Sequence, residues 1–274
     1  MPINYAEKYA PYVDERFKKQ SLSEGAINQD LEWVGVETVK VFSVPTVPMQ
    51  DYTPTGTNRY GTPAELENSV QEMKVTRDRS FTFTIDNKSK QDTMGVMEAG
   101  KALARQIDEV VVPEVDIYRF AVICANAGNT AVASITKDNA YEAFLDATTT
   151  LTDLKVPLVG RVAYIGPNFY KQIRLDPSFI KASDLAQTAL MKGQVGEIDG
   201  IPLITVPSSY LPANVEFFIT HPMATVAPIK LTDYVTHENP PGINGTLVEG
   251  RIRYDAFVFE NKKNAIYVHQ KPVV

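Results

Sequence analysis

VQEMKVTRDRSFTFTID (residues 70–86) runs directly into NKSKQDTMGVMEAGKALARQIDEVVVPEVDIYRFAVICANAG (87–128), and these two phrases set the fold. The first alternates with period 2, the signature of a β-strand. Val75, Arg77 and Arg79 share one face with Phe81 and Phe83, while Lys74, Thr76, Asp78, Ser80, Thr82 and Thr84 take the other. Both faces are largely polar at one end, so a ribbon built here is expected to stand partly away from any core. The second phrase switches to helical spacing. Ser89 and Asp92 have the polar-x-x-acid form of a capping box. Met94, Met97, Ala104, Ile107 and Val111 then make one apolar stripe, resumed by Val115, Tyr118, Val122 and Ile123 up to a stop at Asn126–Asn129. Pro113 falls inside this run and is expected to kink or break it. A rod of this length serves as the spine of a flat lobe.

Upstream, LEWVGVETVKVFSVPTV (31–47) is Val-rich with polar residues interleaved and reads as strand. MQDYTPTGTNRYGTPAEL (49–66), crowded with Thr, Gly and Pro, reads as a long loop. Ordering so extended a ribbon costs conformational entropy that contacts must offset, and here those contacts are expected from a neighbour. Residues 1–30 read as an arm. Tyr5, Tyr9, Tyr12, Val13 and Phe17 sit at near-helical spacing, and Pro11 divides them into two short amphipathic pieces. Such aromatic density implies that the arm lies against its own domain or against an adjacent subunit; the residues leave both open.

Downstream, a helix is expected over Asp138–Leu154, with Tyr141, Phe144, Leu145 and Leu151 inward and Thr148–Thr150 weakening its middle. A strand over 160–166, a short helix from Pro167 and a helical piece near Ser183–Met191 follow. Residues 193–207 read as a hairpin turning at Asp199–Gly200. Val215–Thr220 reads as a strand ended by His221–Pro222, and the tail carries two further strands separated by a turn at Asn261–Asn264.

The 274 residues are 44% hydrophobic, enough for one large domain or two lobes. With 27 basic and 33 acidic residues the formal net charge is −6, which gives no support to tight nonspecific nucleic-acid binding across the whole surface. Cys124 is the single cysteine, so no intrachain disulfide framework exists. The polar start MPINYAEKYAPYVDERF lacks a signal peptide's apolar core, and no stretch approaches the roughly 20 apolar residues of a membrane span. The protein is expected in a reducing, soluble compartment, away from membranes. Chemistry leaves little trace. His221, His237 and His269 make no HExxH and no recognisable metal spacing, and Cys124 sits in an apolar helix run. There is no GxxxxGK[ST], GxGxxG or GxSxG. No catalytic, cofactor-binding or metal-ligating residue is assigned, although an enzyme without a familiar motif remains an alternative. Lys74, Arg77 and Arg79, or Arg251 and Arg253, meet phosphate, a neighbour's carboxylates or water.

Arm, projecting two-stranded loop, spine helix, mixed lobe and returning strands, in that order, resemble the α+β, HK97-like shell fold of tailed-bacteriophage major capsid proteins, shared with encapsulins. VVPEVDIYR (111–119) is similar to the spine segment of such capsid proteins, and GQVGEIDGIPLITVPSSYLP (193–212) to the strand–turn–strand and proline exit of their axial lobe. The resemblance implies an N-terminal arm at 1–30, an extended loop at 31–88 and a peripheral domain at 89–157. It further implies an axial domain at 158–231 and peripheral strands returning at 232–274. It implies a head protein forming hexamers and pentamers of an icosahedral shell around double-stranded DNA, touched weakly and nonspecifically. Its partners would be many copies of itself, a separate scaffolding protein and a portal, with assembly in the host bacterial cytoplasm and no cofactor. Tyr5, Tyr9, Tyr12 and Phe17 in the arm, Tyr52, Arg59, Tyr60, Arg77 and Arg79 in the loop, and Pro207, Tyr210 and Pro212 in the axial lobe are the implied assembly contacts. One branch of the family welds subunits through a loop lysine. Here the tip YTPTGTNRYGTPAE has none, and Lys74, Lys88 and Lys90 lie away from it, so crosslinking is not expected. An encapsulin-like compartment around a protein cargo is the alternative shell.

Overall fold

The computed structural model describes residues 21–28, 38–43, 47–63, 65, 69–88, 99–177, 179 and 196–272. The arm residues Tyr5, Tyr9, Tyr12 and Phe17, the capping box Ser89–Asp92 with Met94 and Met97, and the expected helix at Ser183–Met191 lie outside them. The chain divides into a small unit, Trp33–Val75, and a large one made of Met1–Glu32 and Thr76–Val274.

The small unit is a ribbon. β1 (Thr38–Ser43) and β2 (Ser69–Lys74) pair antiparallel from Thr38↔Lys74 to Ser43↔Ser69. Between them an irregular loop folds on itself through Thr53 N–H to Arg59 O (3.0 Å) and Thr62 N–H to Gln50 Oε1 (2.9 Å).

In the large unit the spine comprises α1 (Ala99–Gln106), a π-helical turn (Ile107–Val111) and α2 (Val112–Ala125). Of the kink or break expected at Pro113, the break does not occur: the helix continues through it. Proline removes a donor and crowds the carbonyl four residues back. The π turn widens the helix immediately before it, with Val112 N–H reaching Ile107 O, and Pro113 takes a place at the start of α2. Against the spine packs an antiparallel sheet in the order β10 (Ile229–Glu238), β11 (Gly245–Tyr254), β3 (Arg77–Asp86). Leu103, Ile107, Val111 and Val115 of the helix meet Tyr234, Val248, Ile252 and Tyr254 of the sheet, with Phe81 and Phe83 alongside. The alternation at 70–86 is therefore cut in two at Val75–Thr76. β2 belongs to the ribbon, whereas β3 pairs with β11 and packs on the spine. The small unit ends at Val75, whereas the resemblance carried the extended loop to residue 88.

A second, six-stranded mixed sheet has the order β4 (Asn129–Val132), β13 (Tyr267–Gln270), β8 (Val215–Thr220), β5 (Val162–Ile165), β7 (Ile201–Thr205), β6 (Glu197–Ile198). One face covers the C-terminal half of the spine, where Phe218, Tyr164 and Val268 join Phe120 and Ile123. The other carries Phe217, Ile219 and Ile165 against α3 (Ala140–Asp153) and α4 (Pro167–Leu175), through Phe144, Leu151, Phe169 and Ile173. Every residue of β8 is buried because both sides of this sheet are covered. The hairpin turns at Asp199 and Gly200, whose φ values of 53° and 72° are those of a type I′ turn. α3 and β13 pack in this lobe, whereas the resemblance grouped them with the spine; of the returning strands β10 and β11 form the spine sheet with β3, and β12 (Phe257–Val258) pairs with β9 (Thr225–Val226). The reason is local: Phe144 and Leu151 find their apolar partners on the face of β5 and β8.

Candidate assembly elements at the roots of the arm and the loop

Two buried carboxylates mark the places where the extensions join the spine. Asp116 faces inward from α2 and is fully buried. It accepts hydrogen bonds from Ser21 Oγ (2.6 Å), Leu22 N–H (2.9 Å) and Ser23 Oγ (2.6 Å). One turn further, Arg119 donates to Ser23 Oγ (2.8 Å), Glu24 Oε1 (3.4 Å) and Ala227 O (3.2 Å). Burial pulls the Arg119 guanidinium below its ordinary range, and Glu24 and Asp116 oppose that shift. Tyr164 reaches across from β5 to donate to Leu22 O at 2.9 Å. The short 3₁₀ turn Ser23–Ala26 is thus held on three sides, with Ala26 buried beneath it.

The second carboxylate, Asp255, follows β11 and is also buried. It accepts from Thr76 N–H and Thr76 Oγ1 (2.9 Å each), from Tyr118 OH (2.7 Å) and from Ala256 N–H (2.9 Å). Thr76 is the residue at which the chain enters β3. The Arg77 guanidinium lies 4.2 Å over the Tyr118 ring, a cation–π contact that caps the same junction.

The structure distributes the sequence-derived contact residues unevenly. Tyr52 and Tyr60 meet edge to face at 5.2 Å in the ribbon loop, where Arg59 Nε donates to Gly56 O at 3.2 Å. Tyr60 is 87% exposed and Met49 99%, so this apolar surface faces water in the isolated chain. Arg77 and Arg79 lie instead on β3, toward the spine. Arg79 Nε pairs with Glu114 at 2.7 Å, and Glu114 also accepts from Tyr254 OH at 3.0 Å. Arg251 pairs with Asp78 on the opposite face. Pro207 O accepts from Tyr210 N–H (2.9 Å) and Pro212 O from Val215 N–H (3.2 Å), making a compact exit from β7 in which Tyr210 packs on the inner core. Tyr5, Tyr9, Tyr12 and Phe17 are among the residues not described.

Asp116, Arg119 and Asp255 were not singled out from the sequence. A signal was present for the first two: a charged pair spaced i, i+3 beside Val112, Val115, Phe120 and Ile123, on the face that a helix buries. For Asp255 there was none, since its partners lie 137 and 179 residues away.

Groups with reactive potential are occupied structurally. Cys124 is buried, which pushes its thiol up to about 12. His221 Nε2 contacts Val159 O, His237 lies 3.4 Å from Glu249, and His269 Nε2 contacts Ala133 O. Among the described residues no three His, Cys, Asp or Glu side chains gather to hold a metal. None of the described helices is long and apolar enough to cross a membrane.

A spine laid on a three-stranded sheet, a six-stranded mixed lobe and a separate two-stranded ribbon together define the HK97-like fold of phage capsid shells. The chain is similar to a structure from Mycobacterium phage Che8, at 18% identity over 91% of each chain and a TM-score of 0.70. It is similar to the bacteriophage PhiM1 mature capsid, at 12% identity over 93% of this chain and 88% of that one, with a TM-score of 0.69. It also matches a virus-like particle from Pyrococcus furiosus, at 14% identity over 98% and 100% and a TM-score of 0.58. No curated protein sequence gives a significant match. Residues 70–268 match the family described as phage capsid protein, and the chain belongs to that family. It is a structural subunit of a virion capsid, assembling with further copies of itself.

Proposed function

We propose that this chain forms the hexamers and pentamers of an icosahedral head enclosing double-stranded phage DNA, with no catalytic role of its own. Scaffolding and portal functions fall to separate proteins, and assembly takes place in the host bacterial cytoplasm. The observation that carries this reading is the ribbon. It exposes Met49, Tyr52 and Tyr60 on an extension whose described strands form a single two-stranded ladder. A two-stranded ribbon is marginal alone in water and gains its order from neighbours. Tyr52, Arg59 and Tyr60 in the loop, Tyr5, Tyr9, Tyr12 and Phe17 in the arm, and Pro207, Tyr210 and Pro212 at the exit from β7 are the contacts assigned to adjacent subunits. Arg77 and Arg79 contribute by stiffening the loop root. The net charge of −6 suits weak, distributed contact with DNA, which copy number multiplies.

Electron microscopy of the expressed chain, with and without its neighbouring gene products, tests the proposal. Closed particles are expected, and deletion of residues 1–20, which spares the Ser21–Ala26 anchor on Asp116 and Arg119, should block or misroute them while a soluble fold remains. Normal particles from that deletion count against the arm contacts; a monomer in every condition removes the shell reading. The Pyrococcus furiosus likeness favours a second reading, a compartment around protein cargo. A copurifying enzyme inside the particles selects it, and packaged DNA excludes it.

A further inference from the structure

Between α3 and β5 the chain makes a short loop whose outermost side chains are apolar. Leu158 is 63% exposed and Val159 89%. Loop tips in water are ordinarily polar, and this one is held rigid from beneath. Arg161, itself buried, donates to Pro157 O (3.0 Å), Val156 O (2.7 Å), Thr148 O (3.3 Å) and Thr152 Oγ1 (3.2 Å). From the other side His221 Nε2 donates to Val159 O (3.0 Å), while its Nδ1 accepts from Met223 N–H (3.2 Å). Gly160, at φ +92°, lets the backbone turn over the imidazole, where a Cβ would come within 3.1 Å of Nε2.

Three of the four carbonyls before Gly160, those of Val156, Pro157 and Val159, are thereby pinned. Burying a guanidinium is costly unless its donors are satisfied, and here Arg161 divides its four hydrogen bonds between this loop and the last turns of α3, tying one to the other. Leu158 and Val159 belong to none of the buried clusters. The fold thus fixes two apolar side chains in solvent and gains no core contact from them. Fixing a contact in advance removes the ordering cost from association. The chemistry of the tip selects a protein surface: its sole exposed cation within 154–161 is Lys155, too few for a phosphate backbone.

We propose that Leu158 and Val159 are a preformed contact knob that seats on a second copy of this chain. The inference rests on the shell reading and adds to it a contact outside the arm, the ribbon and the exit from β7. A second copy is the occupant because a capsid subunit is surrounded by further copies of itself, whose surfaces are the ones this tip meets. Leu158→Asp combined with Val159→Asp, made in the full chain, is the test, with Leu158→Met as the conservative control. The dissociated double variant should keep the wild-type melting temperature, since both side chains are solvent-facing. Its critical concentration for particle formation, followed by light scattering, should rise about tenfold or more, whereas Leu158→Met stays near wild type. A photo-crosslinking residue at position 159, in particles mixed from isotopically light and heavy chains, should give light–heavy crosslinked peptides. An unchanged critical concentration, or crosslinks confined to one chain, overturns the knob and leaves the shell reading standing. A wild-type chain that forms no particle overturns the shell reading and this inference together.

Discussion

A carboxylate removed from water must find its hydrogen bonds inside the protein, and Asp116 finds three in the Ser21–Ser23 backbone and hydroxyls. Arg119, 2% exposed, needs the neighbouring negative charge. Asp116→Ala should therefore cost about 3–5 kcal/mol, because it leaves a buried cation partly uncompensated as well as three donors unmatched. Urea unfolding of the dissociated subunit measures it. Asp116→Asn, which keeps the shape, should lose less, about 1–3 kcal/mol. His269 gives a pH signature of its own. Its ring stacks 5.0 Å from Phe217, and burial lowers its pKa from 6.5, against the opposing pull of the Ala133 carbonyl and Glu216. The folded chain excludes a proton that the unfolded chain binds, so this residue's contribution is full above pH 6.5 and declines as pH falls below it. Comparing denaturation midpoints of wild type and His269→Gln from pH 7 down to 5 should show a shallower fall in the variant. An identical slope would refute the assignment.

At the scale of elements, Gly250 in β11 shows what pairing adds to a sequence pattern. It sits opposite Phe81 on one side and Tyr234 on the other, and the two rings close over it with centroids 5.9 Å apart. A Cβ there would meet Phe81 Cζ and come within 2.8 Å of Tyr234 Cδ1. Gly250→Val should cost about 1–3 kcal/mol through overpacking, despite the higher strand propensity of valine, and a lowered melting temperature reports it. The spine, the Asp199–Gly200 hairpin and the short strands were legible because each announces itself locally, by periodicity or by a turn that demands positive φ. The passage through Pro113 was not, since a π turn five residues long leaves no pattern in residue types. Nor was the cut at Val75–Thr76. The alternation from Val70 to Asp86 is continuous as text, and what divides it is Asp255, a residue about 180 positions later in the chain. The grouping of α3 with the six-stranded sheet failed for the same reason: apolar faces declare that they will be buried, not against which partner.

For the whole molecule, the proposed function divides stability and assembly between different parts of the chain. Among the described residues every member of the four buried apolar clusters belongs to the larger unit, while Trp33–Val75 contributes one ladder, the buried Met73 and Val75 at its end, and an exposed loop. Hydrophobic burial dominates folding energy, so the loop contributes little to the stability of the isolated subunit. Under the proposed shell contacts the balance reverses, because the exposed Tyr52, Tyr60 and Met49 would each meet a neighbouring copy once per subunit around a closed lattice. Ser43 and Ser69 are directly paired, which makes a clean excision available. Replacing residues 44–68 with Asn-Gly joins the two strands through a two-residue turn whose twist matches theirs. The shortened chain should melt within about 4 °C of the wild type, a shift equivalent to less than roughly 2 kcal/mol for a domain of this size. It should also sediment as free subunits or small capsomers and yield no closed particle by electron microscopy. If the excised chain unfolds, the ribbon is part of the fold's own stability; if it assembles normally, the shell is held together elsewhere.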